Sequence, residues 1–309
     1  MGRIAYVFPG QGAQKAGMGR DFYENSPAAA NVFERAGDIL SLDMKALCFE
    51  QNERLDITEY TQAAMVTTSL SMLAAMKDRG LREPDVTAGL SLGEYCAMAA
   101  AGVMSGEDAI KTVRRRGILM QEAVPAGQGA MAAVLSMKAE DIEHILENME
   151  EVQIANYNCP GQTVISGKAE AVDRACAALQ EAGARRTVKL NVSGPFHSSL
   201  LREAGEKLYE ALAPVKLMEH EIPYVSNVTA EYVTGTDSVK DYLKRQVFSP
   251  VKWQQSVETM LSSGVDTFVE IGPGKTLSSF IKKISRDAVV YNVEIWEDLD
   301  TLEAVLGRN

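Results

Sequence analysis

Ser91 stands in Gly-Leu-Ser-Leu-Gly, residues 89 to 93, with a glycine two positions before it and another two after. A free serine hydroxyl is a poor nucleophile and needs both a neighbouring base and exposure on a tight turn. Small flanking residues let a strand bend sharply into a helix. The helix N-terminus then lends amides and partial positive charge to a developing oxyanion. The surroundings fit: "DVTAGL" before the serine is strand-like, and "GEYCAMAAAG" after it reads as a buried helix. The competing reading is an ordinary small-residue turn packed against a helix.

A nucleophilic serine needs a base, and the chain has three histidines. His144 lies on a helical stretch, off its Ile142/Ile145/Leu146/Met149 face, and reads as a solvated residue. His220, between two glutamates ahead of a strand, reads as surface loop. His197, in "VSGPFHSSLL", sits at a Gly-Pro turn just before a helix, where a side chain can project into a cleft. It is the base by elimination, against the alternative of a capping or packing role. Spacing does not choose a triad carboxylate.

Two Gly-rich loops invite nucleotide readings and fail them. In "FPGQGAQKAGMG", Lys15 occupies the last glycine position of a dinucleotide fingerprint counted from Gly10. In "GPGKT", Val269 occupies the first P-loop glycine position. The first loop can instead bring a backbone amide beside Ser91, with Gln11 the candidate. Arg114, Arg115 and Arg116 lie on a helix from about residue 107 to 122 with an apolar stripe of Ile110, Val113, Gly117 and Met120. Arg114 and Arg116 border the stripe, so one of them can reach inward to hold a carboxylate. From spacing alone, three solvated charges are the better reading.

The elements that must position these residues alternate. "RIAYVF" reads as a strand buried on both faces of a parallel sheet. Residues 61 to 79 read as a helix closed by Gly80. From about residue 128 the pattern becomes strand, helix, strand, strand, helix, strand, the ferredoxin-like order. Helices and strands alternate again to "DTFVEIGPG" and "KTLSSFIKKI". The expected architecture is α/β: an α/β-hydrolase-like main domain with a parallel sheet, residues 1–127 and 193–309, interrupted by a ferredoxin-like subdomain at 128–192.

Composition narrows the function class. The 309 residues carry 31 basic and 42 acidic side chains, a net charge of −11, which disfavours nucleic acid or an anionic membrane as main partner. The four cysteines form no C-x-x-C pair and suggest neither a zinc site nor a disulfide framework. No signal peptide or membrane-spanning run is read, so a cytoplasmic protein is expected.

"FPGQG", "GLSLGEY", "RRGILMQEAVPAGQGAMAAV", "NYNCPGQTVISG", "GPFHSSLL" and "RQVFSPVKW" are together far more specific. In this order along essentially the whole chain, they resemble the malonyl-CoA:acyl carrier protein transacylase family. The resemblance implies Ser91 as the acylated nucleophile and His197 as general base and then acid. It implies that a main-chain carbonyl, at Gln246, orients the histidine. Oxyanion donors map to the amides of Gln11 and Leu92, and the malonyl carboxylate to Arg116, against the reading from spacing. Phe196 matches the malonyl-selective form of its motif, its ring leaving little room for an α-methyl branch. The implied reaction is ping-pong transfer of malonyl from malonyl-CoA to carrier-protein phosphopantetheine in dissociated fatty acid synthesis. It needs no cofactor or metal, engages the carrier transiently, and suits a monomer. Polyketide supply, a thioester hydrolase and a catalytically dead binding module are the competing readings. One departure stands out: the family usually has histidine before the nucleophile, and here Leu90 occupies that place. Carrier proteins are acidic, so docking requires a local basic patch. Arg185, Arg186 and Lys189, or Lys282, Lys283 and Arg286, are the candidates.

Overall fold

The computed structural model describes residues 2–125, 127–192, 194–220 and 222–308. The apolar run at the start forms β1 (Arg3–Phe8), with every residue after Arg3 buried. It lies inside a six-stranded sheet with β2 (Val86–Gly89) on one side. A second sheet takes β3 (Gly129–Leu135), β4 (Val152–Cys159), β5 (Gln162–Lys168) and β6 (Arg186–Lys189). The first sheet resumes with β7 (Tyr224–Val225), β8 (Tyr232–Val233), β9 (Val265–Ile271) and β10 (Val289–Val293).

The large sheet runs β10-β9-β1-β2-β7-β8, parallel except for the short β7–β8 pair at its edge. It is covered on both faces, as a parallel sheet must be. One face packs on the helices Thr58–Asp78 and Gly93–Ala101, with Gly106–Glu122 packed behind them, and the other on Trp253–Ser262 and Thr276–Ile284. The small sheet runs β4-β5-β3-β6, all antiparallel, with helices Ala139–Leu146 and Ala169–Glu181 closing a separate apolar core. The fold is therefore mixed α/β with a mainly parallel sheet and a small antiparallel one. All four strands of the small sheet fall between residues 129 and 189. Ser193, where the sequence suggested the main domain resumes, lies outside the described residues.

Two contacts fix the site. Gly117 lets helix Gly106–Glu122 cross helix Thr58–Asp78 closely, since a Cβ there would lie 2.7 Å from Glu59 Cα. Val251, just after the Val239–Gln246 helix, joins β4 by accepting from Tyr157 N at 2.9 Å and donating to Ala155 O at 2.8 Å. Among the described residues, no helix is long and apolar enough to cross a membrane. Sequence periodicity missed the helices Pro27–Leu40 and Asp298–Leu306 and the strands β8 and β10. "IPYVSNV" contributes only the two residues of β7.

Candidate active site

Strand β2 ends at Gly89, and Ser91 takes φ 51° before helix Gly93–Ala101 begins. Both flanking glycines are sterically required. A Cβ on Gly89 would lie 2.0 Å from the Gly93 carbonyl, and one on Gly93 would lie 2.0 Å from Phe8 O. A non-glycine residue in the left-handed region costs about 1–3 kcal/mol and persists only where its surroundings hold it. Here two side chains hold it. Ser91 N donates to Asn227 Oδ1 at 2.6 Å, while Asn227 Nδ2 donates to Gly89 O at 2.7 Å. Gln246 Nε2 donates to Ser91 O at 2.9 Å.

His197 is likewise left-handed, with φ 59°, and is buried. Its Nε2 lies 2.7 Å from Ser91 Oγ, and its Nδ1 lies 2.7 Å from the main-chain oxygen of Gln246. A carbonyl only accepts, so Nδ1 carries the proton and Nε2 presents its lone pair to the serine. The orienting group is a backbone oxygen and not a carboxylate. Burial, helped by the charge on Arg116 and opposed by the Gln246 carbonyl, pushes the histidine down to about 3. It is neutral at physiological pH and ready to accept a proton. Gln153 on β4 braces this turn from outside, donating to His197 O at 3.2 Å and accepting from Ser199 N at 2.9 Å.

The three consecutive arginines have separate fates. Arg115 is exposed. Arg114 pairs with Glu59 at 2.6 Å and stacks on Tyr60. Arg116 is 1% exposed and donates to Ser91 Oγ at 3.1 Å, Gln62 Oε1 at 3.0 Å and Gln246 Oε1 at 3.0 Å. The solvated reading favoured by spacing is therefore wrong for Arg116: the narrow crossing at Gly117 pulls its neighbour into the core.

Above Ser91 opens a cleft of about 490 Å³. Its walls are the Pro9–Gln14 loop and Leu90 on one side, and Met131, Asn156, Asn158 and Phe196 on the other. Gln11 stands on the first wall, its side chain donating to Thr58 Oγ1 at 3.3 Å. Leu92 is the N-cap residue of helix Gly93–Ala101, so its N–H is among those that a helix start leaves without an intrahelical acceptor. Leu90 packs over the same loop, its Cδ2 2.8 Å from where a Gly10 Cβ would be.

The remaining histidines stand apart. His144 is exposed beside Glu147, and His220 faces the carbonyls of Met218 and Val233. Among the described residues, no group of three or more His, Cys, Asp or Glu side chains is placed to hold a metal. Of the basic residues considered for docking, Lys189 pairs with Asp173, and Lys282 donates to Ala288 O. Arg185 and Arg186 are exposed.

Sequence reasoning missed Gln62, Asn227, Gln153 and Glu94. Glu94 was the legible one: a lone acid in an otherwise apolar helix signals a buried partner. It is buried, accepting from Gln246 Nε2 at 2.6 Å and Asn227 N at 3.3 Å.

The acyl transferase domain family matches residues 5–296. The malonyl CoA-acyl carrier protein transacylase of Bacillus subtilis is 47% identical over 291 residues, 93% of this chain and 92% of its own. The crystal structure of the Clostridium perfringens malonyl CoA-acyl carrier protein transacylase superposes with a TM-score of 0.94 at 42% identity, covering 98% of this chain and 96% of that one. A malonyl-transacylase solved in complex with its type II PKS acyl-carrier protein gives a TM-score of 0.94 at 36% identity, covering 97% and 98%.

Proposed function

The chain belongs to the acyl transferase domain family, and on that footing we propose how it works as a malonyl-CoA:acyl carrier protein transacylase. It carries malonyl from malonyl-CoA to the phosphopantetheine thiol of an acyl carrier protein, through a malonyl ester on Ser91. One observation carries this reading furthest: a single oxygen, Ser91 Oγ, faces both His197 Nε2 and the buried guanidinium of Arg116. A base beside a serine serves any acyl thioester. A buried cation beside it suits an acyl group that brings its own carboxylate.

The steps follow from these positions. Ser91 Oγ attacks the thioester carbon while His197 Nε2 takes the hydroxyl proton. The carbonyl oxygen becomes an oxyanion held by the amides of Gln11 and Leu92, each worth about 3 kcal/mol of barrier. Collapse breaks the C–S bond, and His197 returns the proton to the departing coenzyme A sulfur. The carrier thiol then gives its proton to His197 and attacks the ester carbon, and Ser91 leaves with that proton restored. Arg116 holds the malonyl carboxylate in both halves. Phe196, buried against the cleft, leaves little room for a branch at the α-carbon.

We place the enzyme in the cytoplasm as a monomer serving dissociated fatty acid synthesis, with residues 128–192 as a ferredoxin-like insertion. Coenzyme A enters as substrate, and no metal or cofactor takes part. The acidic carrier approaches a basic patch, either Arg185, Arg186 and Lys189 or Lys282, Lys283 and Arg286. Leu90 leaves the turn intact, because the base comes from elsewhere.

Intact mass after brief exposure to malonyl-CoA tests the reading. One added malonyl group, absent from Ser91→Ala and from an acetyl-CoA control, supports it, and a holo carrier protein then removes the group. Consumption of malonyl-CoA without adduct or carrier product points to a hydrolase. An intact substrate and no adduct point to a dead site.

A further inference from the structure

Glu94 has no part in the steps above, yet its carboxylate lies at the centre of the site, 1% exposed. Three donors converge on it: Gln246 Nε2 on Oε2, Asn227 N on Oε1, and the Ser226 hydroxyl. An ionised carboxylate accepts at both atoms without a competing hydrogen; an amide or a protonated acid brings a donor to one of them, which weakens acceptance there. Gln246 Nε2 also donates to Ser91 O, and Gln246 Oε1 accepts from Arg116 Nη2. The acceptor at Glu94 therefore acts together with Ser91 O and Arg116 to fix which end of the Gln246 amide faces Arg116. Turned end for end, the amide would point donors at donors and release Ser91 O.

Resting on the malonyl-transfer reading, we infer that Glu94 is a positioning residue for malonyl selectivity. Its carboxylate, as a second acceptor beside Ser91 O, tightens the hold on the Gln246 amide so that Arg116 stays aimed at the substrate carboxylate. His197 is held by the main-chain oxygen of Gln246, so its alignment does not depend on which way that amide points. The titratable groups facing Glu94 are Arg116 from helix Gly106–Glu122, Tyr95 from its own helix and Tyr224 from β7, with His197 beyond Gln246. Burial drives both tyrosines well above the usual phenol range, so they stay neutral. Burial also pushes Glu94 up to about 7, against the pull of Gln246, Asn227 and Arg116. His197 is pushed down to about 3, so a limb near neutrality in malonyl selectivity belongs to Glu94 and not to the histidine.

The test compares wild type with Glu94→Gln and Glu94→Asp for the rate of Ser91 acylation by malonyl-CoA and by acetyl-CoA, from about pH 5.5 to 8.5. Wild type should lose malonyl-over-acetyl preference as pH falls through about 7. Glu94→Gln should lower that preference about tenfold and flatten its pH dependence, with the acetyl rate within about threefold of wild type. Glu94→Asp keeps two acceptors and should keep the limb. Equal losses on both substrates, an unchanged preference, a limb that survives in the glutamine variant, or its disappearance in the aspartate variant would each overturn the inference. If wild type takes up no malonyl group, the transfer reading fails and this one with it. If wild type is malonylated and the preference survives Glu94→Gln, only the role of Glu94 fails.

Discussion

Replacing Arg116 by alanine should move two substrates in opposite directions. Arg116 Nη2 and His197 Nε2 both meet Ser91 Oγ, at 3.1 and 2.7 Å. The guanidinium thus sits within about 6 Å of the imidazole, where two unit charges at an effective dielectric of about 20 repel by about 3 kcal/mol. A malonyl carboxylate neutralises the guanidinium, so His197 takes the serine proton with little penalty. An acetyl group leaves the repulsion in place. In Arg116→Ala the malonyl carboxylate loses its buried partner, at about 3–5 kcal/mol. That predicts a fall in kcat/KM for malonyl-CoA of roughly two to four powers of ten. For acetyl-CoA the brake on His197 is released, and kcat/KM should rise, by less than about 100-fold because water entering the vacated space screens the site. Coenzyme A thiol release in the presence of holo carrier protein measures both, and a melting temperature checks the fold. Parallel losses on the two substrates would refute the charge coupling, and unchanged malonyl kinetics would remove Arg116 from recognition altogether.

Gly93→Ala puts a methyl group against the backbone oxygens of Phe8 and Pro9, so urea unfolding should show a loss of about 3 kcal/mol. His197 is depressed from 6.5 to about 3, so the unfolded chain binds the extra proton and stability is lost as pH falls between those values. His197→Gln removes that loss and should gain about 2 kcal/mol relative to wild type between pH 7 and pH 5 in chemical denaturation. An equal pH slope in the two proteins would contradict the burial of a neutral imidazole. Gln153→Ala removes both hydrogen bonds that brace the histidine turn. It should lower kcat about tenfold with KM for malonyl-CoA nearly unchanged, in steady-state assays.

What could be read from the sequence was what chain neighbours decide. Gly89 and Gly93 announce the turn because their reason is local, the strand meeting the helix within four residues. His197 followed by elimination among three histidines. The inward course of Arg116 was not local: it depends on Gly117 crossing helix Thr58–Asp78. Only the resemblance to a family pointed to it. Gln246 came the same way, since a main-chain oxygen leaves no mark on residue type. Asn227 and Gln153 act across 136 and 44 residues respectively, and no periodicity encodes such reach. Short strands such as β7 and β8 carry too few residues to show an alternation, so pairing with a neighbour defines them.

The order of strands in the large sheet also sets a timetable for synthesis. β1 lies between β2 and β9, and Arg3 reaches Ser263 O across 260 residues. At ribosomal speeds of about 5–20 residues per second, that edge of β1 waits roughly 10 to 50 s for its partner. Meanwhile β1, β2 and the helix that follows, which flank the serine turn, are made early. Asn227 and Gln246, which hold Ser91 in its left-handed conformation, come 136 and 155 residues after it. Its base comes 106 residues after Ser91 and the residue that orients the base 155 residues after it. The nascent chain thus carries a serine neither locked in its turn nor armed by its base until Gln246 has emerged, and cannot consume thioesters before then.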